Sequence, residues 1–238
     1  MEREAQSASA AAAELLSLTV SETISVSALL LVPEQAHSLL VLAHGAGAGM
    51  RHPSLQALAA ELAARGIGTL RYQFPYIERG SRRPDPPALC HATVRAAVAE
   101  AEHRAPRLPL VAGGRSFGGR MTSQAQAASP LRGVRGLVFF AFPLHPAGQP
   151  SDGRAEHLFQ TRLPLIFLSG TRDALAEWPL MQRLANRLGA RATLEQLPDA
   201  DHFFHVPARS ARKDGDVLGD ALDALATWIE RLPMTAQA

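Results

Sequence analysis

The stretch Val111–Arg120, V-A-G-G-R-S-F-G-G-R, sets one serine between glycines directly behind an apolar run. Gly114-Arg115-Ser116-Phe117-Gly118 fits the pattern G-x-S-x-G, in which the serine occupies a sharp strand-to-helix turn and the small residues around it let the crowded backbone pass. The flanks suit that geometry. Leu108–Ala112 is a short apolar run introduced by Pro106 and Pro109, and Met121–Ala128 is free of Gly and Pro and stops before Pro130, as a helix should. A serine in such a turn can also do no more than cap the helix behind it. A base, an acid and backbone donors for an oxyanion, each behind its own strand, distinguish a nucleophile from a cap.

The rest of the chain offers those groups in order. Leu18–Val32 alternates polar and apolar residues and ends at Pro33, which predicts one or two antiparallel edge strands. Leu39–Ala43 is wholly apolar, as a strand buried on both faces of a parallel sheet would be, and runs into His44-Gly45-Ala46-Gly47-Ala48-Gly49. A dinucleotide fingerprint would need a glycine where Met50 stands and an acid closing the next strand, where Leu70 and Arg71 stand. The other use of such a loop is to offer a backbone N–H, here that of Ala46, to an oxyanion; a plain tight turn is the simpler alternative.

Leu55–Ala64 has helical spacing closed by Gly66, and Ile67–Tyr72 is the next strand. Beyond it Arg71–Arg83 interleaves Tyr72, Phe74 and Tyr76 with arginines, in a place where α/β folds bind ligands. The same residues would serve equally as loop core with solvated arginines. Leu89–Arg104 is a helix on which Cys90 is a packing residue. Gly136–Phe140 is a buried strand leading to Ala141–Pro146, a turn that contains Phe142 and His145. About two dozen residues separate it from Leu165–Ser169, too few for a lid domain of ordinary size. Asp173 follows that strand, as a turn or capping acid would, and Arg191–Leu197 is the last strand, with His202 in the loop behind it. Leu218, Leu222, Leu225 and Ile229 form the apolar stripe of a closing helix.

Ser116, Asp173 and His202 thus stand in the order Ser, acid, His, each just past a strand, which is the order of the α/β-hydrolase fold. His205 is the alternative base, whereas Asp199 and Asp201 sit too near His202 to be the expected acid. The chain also resembles a particular family. His44–Gly47, Arg71–Tyr76, Gly114–Arg120, Phe142–Pro146 and Gly170–Asp173 are similar to the α/β-hydrolase-like family that includes a regulatory subunit of the NSL histone acetyltransferase complex and a testis-expressed hydrolase-like protein, with bacterial members called dienelactone-hydrolase-like. The resemblance runs from about residue 22 to 232. It implies a mostly parallel eight-stranded sheet with helices on both faces, no large lid, and Ser116, Asp173 and His202 in triad positions. Dienelactone hydrolases proper carry a cysteine nucleophile, so lactone chemistry is not carried over to Ser116.

Composition limits the other classes. Twenty-three of the 24 basic residues are arginine, which reconciles a pI near 9.2 with a formal charge of +2. They never form a run of five, so no footprint for nucleic acid or a membrane surface is expected. Cys90 is the sole cysteine, which excludes an intrachain disulfide. Residues 1–16 are Ala- and Ser-rich with acids at Glu2, Glu4 and Glu14, unlike a secretory leader, and are expected to be a frayed tail before a single domain over 17–233. A soluble cytoplasmic protein is expected, with neither metal nor cofactor.

These residues together predict acyl transfer to water. His202 would take the Ser116 proton, Asp173 would fix the imidazole tautomer, and the N–H groups of Ala46 and Phe117 would hold the oxyanion. The rival is a non-catalytic hydrolase fold used as an interaction module. Arg71, Arg115, Arg120 and His145 could converge near Ser116 and hold a small acyl substrate with an anionic or polar group against a wall of Phe117, Phe142 and Phe204. Alternatively the arginines are structural, paired with Asp85 or with backbone carbonyls.

Overall fold

The computed structural model describes residues 12–233. Its sheet has eight strands in the order β1-β2-β4-β3-β5-β6-β7-β8. Two antiparallel strands at one edge, β1 (Glu14–Ser21) and β2 (Ile24–Leu31), come from the alternating segment. The other six strands run parallel to one another: β3 (Ser38–Ala43), β4 (Ile67–Tyr72), β5 (Leu110–Arg115), β6 (Val134–Phe140), β7 (Leu165–Gly170) and β8 (Ala192–Leu197), the last an edge strand of mixed polarity. Every residue of β3 is buried, as its lack of alternation requires.

The side chains of β3 divide between two cores. Leu39, Val41 and Ala43 face one and Leu40 and Leu42 the other, because successive residues of a strand point to opposite faces. Helices α1 (Pro53–Ala64) and α6 (Asp214–Glu230) cover the Leu40 face with Leu55, Leu58, Leu62, Leu222 and Leu225. The short α2 (Pro75–Glu78), α3 (Pro87–Arg104), α4 (Phe117–Ala128) and α5 (Trp178–Leu188) supply Tyr76, Val94, Met121 and Leu184 to the other core. Between β6 and β7 there is only a 3₁₀ helix, Gly153–Gln160, and no lid domain.

Two boundaries differ from the sequence-based expectation. The domain begins before residue 17, since Glu14–Leu16 pair with Ala28–Leu30 in β2 and Leu16 is buried; residues 1–11 of the expected tail lie outside the described residues. Helix α4 begins at Phe117 rather than Met121, with Gly118 and Gly119 inside its first turn. Packing overrides their poor helix propensity, because a Cβ on Gly118 would stand 2.5 Å from the His44 carbonyl. Among the described residues no helix is long and apolar enough to cross a membrane.

Candidate active site

The loops behind β3, β5, β7 and β8 meet at one end of the sheet, and the elbow is the tightest of them. Ser116 has φ 48° and ψ −116°, a backbone conformation that a non-glycine residue holds only when its surroundings impose it. Its N–H donates to Phe140 O at 2.9 Å. A Cβ on Gly114 would lie 2.5 Å from Ala43 O, so the glycines on either side of the serine are what let β5 and α4 press against the end of β3.

Asp173 and His202 reach the serine through two linked loops. Gly170 ends β7 where a Cβ would meet Ala200 O at 2.3 Å, and Arg172 N–H donates to Ala200 O at 2.9 Å. The histidine loop is an Asp-centred turn, with Asp201 Oδ1 accepting from Phe203 N–H at 2.7 Å and His205 N–H at 3.0 Å. The result is a continuous chain. Ser116 Oγ lies 2.9 Å from His202 Nε2, and His202 Nδ1 lies 2.8 Å from Asp173 Oδ2. Asp173 Oδ1 accepts from Leu175 N–H at 2.8 Å, so each oxygen of this buried carboxylate has a donor. His205, the rival base, pairs with Asp214 on the surface instead.

The Gly45–Met50 loop is held from below by the aromatic segment after β4, whose Phe74 and Tyr76 are buried as the loop-core reading expects. Phe74 N–H donates to His44 Nε2 at 3.1 Å, which leaves the proton on Nδ1; that nitrogen donates to Gly45 O at 2.7 Å. Gly45 O and Ala46 N–H belong to one planar trans peptide, so the imidazole also aims the Ala46 N–H. Gly47 N–H donates to the Tyr76 hydroxyl at 3.1 Å, Met50 N–H to Gln73 Oε1 at 2.7 Å, and Arg71 Nη1 to Met50 O at 3.3 Å. Among the described residues neither Ala46 N–H nor Phe117 N–H donates to a protein group. Ala46 lines the same cleft as Ser116, and Phe117 follows the serine in sequence. His44 was missed as a functional residue, although its place directly before Gly45 was visible.

A cleft of about 350 Å³ opens on Ser116 and His202, lined also by Gly45–Ala48, His52, Ser54, Arg115, Leu175 and Phe203. Several expected substrate-binding residues lie elsewhere. Arg71 is in register with Leu42, faces the α1 side, and serves as a loop anchor; Asp85 pairs with Arg79 rather than with it. Phe142 is core, packed on Phe139 and Phe167 at 5.0 and 5.9 Å. His145 is buried with Nδ1 2.8 Å from Pro146 O, and its N–H donates to Leu175 O, so it supports the cleft from behind. Phe204 lines an adjoining cavity of about 190 Å³, and the exposed Phe203, overlooked in the sequence, lines the cleft in its place. Phe117 packs on Phe74 and under the guanidinium of Arg120, away from the cleft.

Other reactive-looking groups are structural. Ser123 Oγ lies 2.7 Å from His157 Nε2, but it is buried and already donates to Arg120 O at 3.0 Å. Burial, with Asp85 nearby, pushes the Cys90 thiol up to about 12, so it is no thiolate at neutral pH. Among the described residues no cluster of three His, Cys, Asp or Glu side chains is arranged for a metal.

Burial holds the His44 imidazole down at about 4, against an opposing pull from the Gly45 carbonyl. A histidine with a depressed folded pKa binds more protons unfolded, so its contribution to stability is complete above about 6.5 and is lost as pH falls toward 4. At pH 5 the His44 contribution to the loss should be roughly 2 kcal/mol. Its ring proton resonance should stay at the neutral position down to about pH 5. An NMR titration with an ordinary midpoint near 6.5 would show instead that the loop tolerates an imidazolium.

Comparisons with known proteins agree with this geometry. The chain resembles a lidless α/β serine hydrolase from Xanthomonas campestris (TM-score 0.71, 21% identity, covering 94% of this chain and 97% of that one). It is also similar to a dienelactone hydrolase from Anabaena variabilis (TM-score 0.73, 19% identity, 94% and 99% covered). A third similar structure is Est1E from Butyrivibrio proteoclasticus with ferulic acid bound (TM-score 0.70, 13% identity, 91% and 100% covered). At these identities the structures share a fold. A family model described as an alpha/beta hydrolase domain matches residues 36–230, and with most of the sequence so matched the chain belongs to the alpha/beta hydrolase family.

Proposed function

We propose that the protein is a serine hydrolase of small carboxylic esters or thioesters, working through an acyl-enzyme on Ser116. The unbroken hydrogen-bond chain Ser116–His202–Asp173, with spacings of 2.9 and 2.8 Å, carries this reading. His202 Nε2 takes the Ser116 proton as Oγ bonds to the substrate carbonyl carbon, and the oxyanion is held by Ala46 and Phe117 N–H. His202 then gives that proton to the departing alcohol or thiol as its bond to carbon breaks. Water attacks the acyl-enzyme with His202 again as base, releasing the acid and restoring Ser116. Asp173 keeps the proton of the neutral imidazole on Nδ1 throughout.

Within the family we place the chain on the branch its motifs resemble, that of the NSL-complex subunit and its bacterial relatives, and assign it catalysis rather than scaffolding, a reading supported by the Ser116–His202–Asp173 contacts and by the unbonded N–H groups of Ala46 and Phe117. A fluorophosphonate probe is expected to label Ser116, identified by peptide mapping, and short p-nitrophenyl esters are expected to be hydrolysed. An unlabelled serine together with no turnover at any acyl length would overturn the assignment.

A further inference from the structure

Among the described residues Arg115 is the one arginine that lines the Ser116 cleft. Its Nη2 donates to His202 O at 3.2 Å, and its guanidinium lies 5.8 and 5.1 Å from the ring centres of Phe203 and Phe204. Unlike Arg65, Arg104 and Arg187, which pair with surface acids, it has no carboxylate within 4.0 Å among the described residues. The nearest acids are committed: Asp173 to His202 and Leu175, Asp201 to the turn of the histidine loop. Among the described residues Nε and Nη1 of Arg115 donate to no protein group, and unlike Nε of Arg71 and Arg120 they are not sealed from solvent.

A partly buried cation with no carboxylate in contact is costly to keep, and Asp201 and Asp173 offset its charge only from beyond 4.0 Å. The remaining lining contains no acid; it consists of the oxyanion loop, His52 and Ser54 at the N-terminus of α1, Leu175, Phe203, and the Ser116–His202 pair. The positive end of that helix adds to the same sign of potential. A planar fork open on one edge is the group that best receives a carboxylate.

We propose that Arg115 is the specificity-determining residue of the site and receives a carboxylate carried by the substrate, so that the cleft takes short esters or thioesters bearing a free acid group near the scissile carbonyl. This rests on the hydrolase reading above and narrows it. The acid group can sit on the acyl or on the alcohol side, and two substrate pairs distinguish them: monomethyl against dimethyl glutarate, and acetoxyacetate against its methyl ester. The wild type should favour the charged member of at least one pair. Arg115→Met should lower kcat/KM for that member by more than roughly tenfold relative to the neutral one, the loss expected of a charge-assisted contact, with Arg115→Lys recovering part of it.

Saturation-transfer NMR with glutarate on Ser116→Ala and on Ser116→Ala/Arg115→Met gives a readout free of turnover. Glutarate binding that depends on Arg115 supports the anion site even where no ester is turned over, in which case only the hydrolase reading fails. Parallel losses on charged and neutral esters, or neutral esters preferred with no glutarate signal, would overturn the anion site and leave Arg115 as a clamp on the His202 loop. Should Arg115→Met fail to fold by circular dichroism, the wild type's own charge preference and the Lys variant decide the matter.

Discussion

Ser116→Ala is expected to lower ester turnover by about 10⁶-fold, which for an enzyme of ordinary rate is indistinguishable from no catalyst. The prediction follows from covalent catalysis: without Oγ there is no acyl-enzyme, and His202 has nothing to deprotonate. The oxyanion donors remain, so a residual acceleration of roughly 10³ over water is the floor. Folding should barely respond. Alanine inherits the positive φ of the elbow and gives up only the hydrogen bond to His202, worth about 1 kcal/mol, so the denaturation midpoint should move little. Turnover with and without the substitution, beside a urea melt of each, separates chemistry from stability. Retained activity would mean that Ser116 is not the nucleophile.

Much of this arrangement was legible because strand ends are legible. Leu39–Ala43, Gly136–Phe140 and Leu165–Ser169 are apolar without alternation, and that pattern marks both their type and their burial on two faces. Once the strands are placed, Ser116, Asp173 and His202 fall behind β5, β7 and β8, and a parallel sheet brings those ends together. What failed was local inference where a distant contact decides. Gly118 and Gly119 look like helix breakers, yet they begin α4 because the end of β3 leaves no room for a side chain at Gly118, and Gly114 O and Phe139 crowd the same place at Gly119. Glu14–Leu16 follow an alanine-rich stretch with no period, and their strand depends on β2 as a partner.

The arginine and aromatic segment after β4 left two readings open, ligand binding and loop core, and its aromatics take the second. Position past a strand end indicated proximity to a site, but not which face each side chain would take. Arg71, in register with Leu42, went to the α1 side, while Phe74 and Tyr76 went under the glycine loop. The segment shapes the site through backbone anchors. Pattern reading recognises side chains that reach a ligand far better than those that hold the backbone that does.

Asp173→Asn is expected to cost about 10⁴-fold in turnover, through the tautomer of His202 rather than through lost charge alone. Leu175 N–H points at one oxygen of Asp173 and His202 Nδ1 at the other. An asparagine in the same pose must turn its carbonyl to Leu175, because two N–H groups cannot face each other, and so presents its amide N–H to His202. Nδ1 then becomes the acceptor, the ring proton moves to Nε2, and the nitrogen facing Ser116 Oγ can no longer take its proton. Among the described residues no other acid is poised to substitute: Asp201 is bound to Phe203 and His205 N–H, and Asp199 to the Ser210 hydroxyl. Turnover of a short p-nitrophenyl ester measures the loss, and a low-field proton resonance from His202 Nδ1, present with Asp173 and absent with asparagine, reports the tautomer independently. A loss under about tenfold, or a persistent Nδ1 proton in the variant, would refute the assignment of Asp173 as the group that orients the base.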